Sequence, residues 1–177
     1  MLTARFIFDG ANFTGAKIYS NGKKQHPPVL TSTGDGMTFS SSTTFLMNMD
    51  AASATEGHIT GDGPITINGT FEWRGGRIYG AGDFIVNGTF LYAATINNLI
   101  NERTLTLNGD SYWTGIKRMD FENGATVING AGATFHHQGN TSWSVATEAG
   151  TGSFINNGTL HKRFRRWNWN LQSGCNE

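Results

Sequence analysis

A nine-residue segment occurs twice in this chain, with its second copy beginning nineteen residues after the first. Residues 65–73 read I-T-I-N-G-T-F-E-W, and residues 84–92 read F-I-V-N-G-T-F-L-Y. In both copies apolar and polar residues alternate, which is typical of a strand with one buried face. Further Asn-Gly pairs begin at Asn108, Asn129 and Asn157, after steps of 21, 21 and 28 residues. A period near 20 residues indicates stacked units, each forming one turn of a solenoid.

This pattern predicts an all-β fold, a parallel β-solenoid with rungs of about 19–21 residues. Equivalent residues of successive rungs then lie above one another, about 4.8 Å apart. Two columns are expected inside the core: Ile65, Phe84 and Leu105, and Trp73, Tyr92 and Trp113. The Asn-Gly pairs are expected to bend the chain through a left-handed conformation, with the asparagines hydrogen-bonded from rung to rung. The competing interpretation makes each pair a type I′ hairpin turn of an antiparallel sandwich.

The segment I-T-I-N-G-T-F-E-W-R-G-G-R-I-Y-G-A-G-D-F-I-V-N-G-T-F resembles the repeats of large bacterial surface proteins. These include autotransporter passenger domains and haemagglutinin-type adhesins, which fold as right-handed parallel β-helices of the pectate-lyase-like kind. The resemblance covers roughly residues 57–162. It implies a single-stranded right-handed β-helix and an extracellular location at the cell surface, and it constrains function only broadly because one fold serves many functions.

The two ends of the chain are less regular than its middle. Residues 1–56 are expected to form irregular N-terminal rungs or a cap, with a first rung in 5–19, a loop or a break between rungs at 26–30 and a candidate cap at 47–55. Residues 57–162 are the regular repeats. Residues 163–177 form a basic and aromatic tail, interpreted as a non-native or truncated end, or else as a cap or binding tail. The first residues lack the pattern of a signal peptide, so either the protein is not secreted or the sequence begins after a signal or inside a longer chain. The repeat favours the last of these.

Charge and composition exclude several kinds of partner. Thirteen Lys and Arg balance thirteen Asp and Glu, so no basic surplus favours nucleic acid or an anionic membrane. No stretch approaches the 18 apolar residues of a spanning helix, so we predict no membrane insertion. The single Cys175 permits no intrachain disulfide and no cysteine-based metal site. We therefore predict no cofactor, with Ca²⁺ as the one alternative.

Carboxylates precede the Ile65-type strand in three successive repeats, at Asp62, Asp83 and Glu102. We expect them to form an acidic column in the turn before that strand. Carboxylates held so close raise one another's pKa and can act as acid and base on a glycoside, or bind Ca²⁺. The alternative is an ordinary solvated turn. Together with Glu72, these residues are the candidate catalytic groups.

A second column should point outward: Glu72, Leu91, Tyr112 and His161 each lie four residues after an Asn of the repeat. Aromatic rings can stack on sugars and charged groups can orient them, so the candidate binding residues are Arg74, Arg77, Tyr79 and Tyr112. The alternative is an ordinary exposed sheet face. The neighbouring His136 and His137 should point to opposite faces, and so cannot readily bind one ion.

Two function classes fit the sequence. The first is a structural or adhesive segment of an extracellular bacterial β-helix surface protein, which contacts carbohydrate or a host surface. The second is a polysaccharide-active enzyme, a glycoside hydrolase or polysaccharide lyase, using the four carboxylates and Arg74; use in a viral tail-spike or other fibre is a third alternative. No nucleophile-elbow or zinc-protease motif occurs in the sequence. Open rung edges predict end-to-end or side-by-side self-association.

Overall fold

The structure, a computed structural model, describes residues 5–14, 17–22, 29–49, 58–138, 144–145 and 152–162. These residues form nineteen β-strands, which stack in parallel from rung to rung. The predicted all-β parallel solenoid is therefore confirmed. None of the described segments forms a helix with the length and apolar character needed to cross a bilayer.

Three parallel sheets form the walls of the solenoid. Sheet 1 contains β5 (His58–Thr60), β8 (Arg77–Ile78), β11 (Asn98–Asn101), β14 (Met119–Glu122) and β17 (Ser144–Val145). Sheet 2 contains β6 (Ile65–Ile67), β9 (Phe84–Val86), β12 (Thr104–Leu107), β15 (Thr126–Asn129) and β18 (Ser153–Asn156). Sheet 3 contains β2 (Lys17–Gly22), β4 (Thr44–Met49), β7 (Thr70–Gly75), β10 (Thr89–Tyr92), β13 (Ser111–Trp113), β16 (Thr134–His137) and β19 (Thr159–Lys162).

Sheets 1 and 2 are joined at the N-terminal end by one long strand, β3 (Val29–Phe39). Its first half pairs with β5 and its second half pairs with β6. A further strand, β1 (Arg5–Phe13), pairs with β3 along both halves. The N-terminal strands thus belong to the same stack as the regular repeats, and β1 lies within the segment 5–19 that is predicted as a first rung. Met47–Met49 of the candidate cap lie in β4, and Val29 and Leu30 of the expected loop or break begin β3. Residues 26–28, 50–55 and 163–177 are outside the described residues.

The register of the strands places the repeated residues above one another. Phe84 pairs with Ile65 on one side and with Leu105 on the other. Tyr92 likewise pairs with Trp73 and with Trp113. Both predicted columns are confirmed, and the hairpin interpretation of Asn-Gly is wrong because successive copies lie on parallel neighbours.

The Asn129-Gly130 pair is shifted by one residue from the alignment expected from the sequence. Asn129 pairs with Leu107, so that Gly130 occupies the place of Asn108. Asn129 therefore faces the core and is fully buried. Its Nδ2 donates to Asn156 Oδ1 at 2.7 Å and to the Thr159 carbonyl at 3.1 Å, which satisfies the buried amide donor.

The Asn-Gly pairs at Asn68, Asn87 and Asn108 hold adjacent rungs close together. Asn87 Nδ2 donates to Asn68 Oδ1 at 2.8 Å, and Asn108 Nδ2 donates to Asn87 Oδ1 at 2.9 Å, which confirms the predicted ladder. The expected left-handed bend is wrong, because φ is positive at none of these asparagines or the glycines that follow them. A Cβ on Gly88 would instead collide with the carbonyl oxygen of Gly69. Glycine is needed here for close approach.

Inward-facing side chains of the three sheets fill one continuous core. Phe71 is fully buried, with ring centroids of Phe45 and Phe90 both 5.6 Å away. Trp73 and Trp113 contact Tyr92 edge-on at 5.5 and 4.7 Å. Such aromatic pairs add about 0.5–1.5 kcal/mol each beyond the area they bury. The predicted internal aromatic stack is confirmed.

The connection from sheet 2 to sheet 3 has a constant length in three rungs, whereas the connection from sheet 3 to sheet 1 varies in length. The first inward residue of sheet 3 follows the last inward residue of sheet 2 by four positions in three successive rungs, as Phe71 follows Ile67. Between sheets 3 and 1, Ile78 follows Trp73 by five residues, whereas Ile100 follows Tyr92 by eight. The flanking strands keep their register, so the additional residues lie outside the stack.

Candidate functional site

The outward residues of sheet 1 bring several polar and charged side chains together on one wall. We call them the sheet-1 face: one column contains His58, Arg77, Leu99 and Asp120, and the next contains Tyr79, Asn101 and Glu122. The columns arise because alternate residues of a strand point the same way and because parallel rungs stack in register. The face spans four successive rungs.

Two of the predicted binding residues meet on this face. Arg77 Nη1 donates to Tyr79 Oη at 3.0 Å. The ring of His58, on the preceding rung, lies edge-on to the Tyr79 ring at 5.4 Å. A guanidinium group and two rings thus share one end of the face.

The middle of the face is fixed by an amide and carboxylate network. Asn101 Nδ2 donates to Glu122 Oε2 at 3.1 Å, and Asn101 Oδ1 accepts from Asn123 Nδ2 at 3.2 Å. Asn123 has φ of 51°, a left-handed conformation that asparagine tolerates better than most residues. Both ends of the Asn101 amide are engaged, so its orientation is determined by its neighbours.

Asp120 is the most perturbed carboxyl group on the sheet-1 face. Its Oδ1 lies 2.8 Å from Arg118 Nε, with its side chain 14% exposed against 49% for Arg118. Burial raises the pKa of Asp120, Glu122 adds to the rise, and Arg118 and Arg77 oppose it. Sequence reasoning overlooked Asp120; the available signal was D-F-E in a strand, which places two carboxylates on one face.

The raised pKa of Asp120 predicts a pH-dependent difference in stability. The folded protein holds this proton more tightly than the unfolded chain, so the contribution is full at low pH and is lost as pH rises through the folded pKa. We expect Asp120→Asn to gain stability relative to the wild type as pH rises from about 3.9, where an ordinary aspartate titrates. Urea unfolding at pH 3 to 8 measures the difference. A constant difference across that range would contradict the prediction.

The other predicted binding residues lie on a different wall. Arg74 Nε donates to Glu72 Oε1 at 2.6 Å on the outer side of sheet 3, and Arg74 is exposed. Tyr112 also belongs to sheet 3, where its ring stacks on His136 at 4.8 Å. The predicted binding set is thus divided between two faces, with Arg77 and Tyr79 on one and Arg74 and Tyr112 on the other.

The predicted acidic residues lie in the turns between sheets 1 and 2. Asp62 and Glu102 both precede an inward strand residue by three positions, whereas Asp83 directly precedes Phe84. All three are exposed. In the described part of the chain no three His, Cys, Asp or Glu side chains converge as metal ligands, so no calcium-type cluster forms there.

A buried arginine, not anticipated from the sequence, lies beside two of these carboxylates. Arg103 is fully buried, and it donates to the carbonyl oxygens of Gly61 and Gly80 on the two preceding rungs. Burial lowers the pKa of Arg103 to about 10, while Asp83 and Asp62 favour its charged form. These two carboxylates therefore act as counter-charges to a structural cation.

Comparison with protein-family models, with curated proteins and with solved structures finds no match to the chain. The fold and the side chains on its walls are accordingly the basis for a functional proposal.

Proposed function

We propose that the chain is a structural and adhesive segment of an extracellular bacterial β-helix surface protein, and that its sheet-1 face contacts carbohydrate. One observation carries the proposal. Three polar pairs, Arg77 with Tyr79, Asn101 with Glu122 and Arg118 with Asp120, lie on one wall of the solenoid. The resemblance of the repeats to bacterial surface proteins supports the cellular location.

The sheet-1 face has the chemistry that an extended glycan requires. Sugar hydroxyls both donate and accept hydrogen bonds, and this face supplies amide and guanidinium donors beside carboxylate acceptors. Its side chains are already held by one another, so binding costs less conformational entropy. Four rungs extend for about 14 Å, which suits a polymer lying across the strands better than one enclosed sugar. Arg77 donates to a neutral phenol, so its guanidinium group can also pair with a carboxylate or sulfate, and this favours an acidic polysaccharide.

The test is binding of neutral and acidic polysaccharides by isothermal titration calorimetry. We expect the wild type to bind an acidic polysaccharide and Arg77→Ala to weaken binding about 10- to 100-fold, since a hydrogen bond to a charged group contributes about 1.5–3 kcal/mol. Arg74→Ala is the matched control, because it removes an exposed arginine from sheet 3. Equal losses in both variants, or no binding by the wild type, would refute the assignment to sheet 1.

A second function, glycoside hydrolysis, is favoured by the relation of Asp120 to Glu122. Alternate residues of a strand are about 6.6 Å apart along its axis. That spacing lies at the lower end of the roughly 6.5–9.5 Å between the acid and base of inverting glycosidases. Burial raises the pKa of Asp120, which suits a general acid, and Asn101 orients Glu122 as the base.

Release of soluble sugar from the same polysaccharides distinguishes hydrolysis from binding. If the segment is an enzyme, the wild type turns over substrate and Asp120→Asn abolishes turnover without unfolding the protein. Asp83→Asn is the control, since Asp83 lies in the turn beside Arg103. If the wild type releases no product, the adhesive function stands alone.

A further inference from the structure

Two histidines face each other on the outer side of sheet 3, on adjacent rungs. His136 pairs in register with His161, and their ring centroids are 5.4 Å apart with the planes inclined by 77°. The sequence neighbour His137 points into the core and is 3% exposed. The fold thus gives His136 a partner 25 residues away in the sequence, on the same face.

We propose that His136 and His161 together bind a divalent transition metal ion, Cu²⁺, Ni²⁺ or Zn²⁺, through one imidazole nitrogen each. Imidazole is a ligand suited to all three ions. A metal about 2.1 Å from one nitrogen of each ring, in tetrahedral geometry, holds the two ring centroids about 5 Å apart. The separation of His136 and His161 is already close to that value.

The two rings are accessible and can reach a common point. His161 is exposed and His136 is half-buried. Histidine χ2 is a broad torsion, so rotation of the exposed His161 ring can bring a nitrogen of each ring toward one ion. The parallel ladder between β16 and β19 fixes the two backbones, so little rearrangement precedes binding.

Tyr112 provides support on the neighbouring rung. Its ring stacks on His136 at 4.8 Å with an interplanar angle of 5°, which restricts the plane of that imidazole. Contacts that orient a ligand raise metal affinity. Within the described ranges no third His, Cys, Asp or Glu joins the pair. Hard cations such as Ca²⁺, which prefer oxygen ligands, are not expected to bind.

Titration of the metal-free protein with CuCl₂, NiCl₂ or ZnCl₂ alone tests the site. We expect one ion per chain, with Cu²⁺ tightest by the Irving–Williams order and Ca²⁺ without effect. His136→Ala and His161→Ala should each lower affinity at least about tenfold, since even outer-shell changes have that effect. The copper complex should show nitrogen coupling in its electron paramagnetic resonance spectrum.

Two control variants test whether metal binding is specific to His136 and His161. His58→Ala removes an outward histidine from sheet 1, and Cys175→Ser removes the only thiol, a competing soft ligand. Both should bind metal as the wild type does. The circular dichroism and melting temperature of the metal-free His161→Ala variant should match the wild type, because the ring is exposed. Absence of binding, or equal binding by the wild type and His161→Ala, would overturn the proposal.

Discussion

Gly88→Ala is expected to lower the free energy of unfolding by about 3 kcal/mol or more, the upper end of the usual cost of overpacking. The new methyl group would meet the Gly69 carbonyl oxygen, which already accepts a hydrogen bond from the Thr89 amide at 3.1 Å. The colliding atom is backbone and cannot turn away. Relief therefore requires the two rungs to separate, which also stretches the asparagine ladder at Asn87.

Gly132→Ala is the control for this prediction. Gly132 has φ of 83°, and nothing lies within 4 Å of the position that its Cβ would take. Alanine there encounters only backbone strain, roughly 1–2 kcal/mol. Urea denaturation of both variants gives the comparison. If Gly88→Ala proves no more harmful than Gly132→Ala, adjacent rungs do not approach as closely as described.

Arg103→Ala is expected to cost about 2–4 kcal/mol, from the cavity it leaves and the carbonyl partners it removes. Arg103 is buried because its connection is short: Leu105 follows Ile100 by five residues, whereas Phe84 follows Ile78 by six. The long Arg103 side chain extends across the two preceding rungs and donates to the carbonyl oxygens of Gly61 and Gly80.

Arg103→Met separates packing from hydrogen bonding at this position. Methionine keeps much of the buried volume, and it removes the buried Nη1 that has no hydrogen-bond partner. Replacing a buried charge by an apolar side chain of similar volume is often nearly neutral. We expect Arg103→Met to lose less than half as much stability as Arg103→Ala in the same denaturation experiment. Equal losses would show that the hydrogen bonds, and not the filling of space, hold this corner.

The sequence predicted the architecture because residues at equivalent positions of the repeat stack on one another in the solenoid. Ile65 and Phe84 have the same neighbours in the sequence because they have the same neighbours in the core, and their pairing followed directly. The asparagine ladder followed for the same reason. The physical role of the glycines could not be predicted in this way. A glycine in the sequence shows that a Cβ is absent, but it does not show whether close packing or a positive φ requires that absence.

Other features depend on register and corner length, which the repeat alone does not determine. The rung from Leu107 to Asn129 is one residue longer than the rung from Val86 to Leu107, and this moved that asparagine from the surface into the core. One residue fewer before Leu105 buried an arginine. The sheet-1 face and the pair of His136 with His161 join residues from different rungs, so they became visible only when the register was known.

The corner between sheets 3 and 1 changes length while the strands on either side keep their pairing. Ile78 and Ile100 stack inside the same wall, although the segments leading to them differ by three residues. Ile116, in the corner of a later rung, is 70% exposed. Insertions and substitutions can therefore accumulate at this corner in one rung at a time, without changing how the rungs above and below it pair.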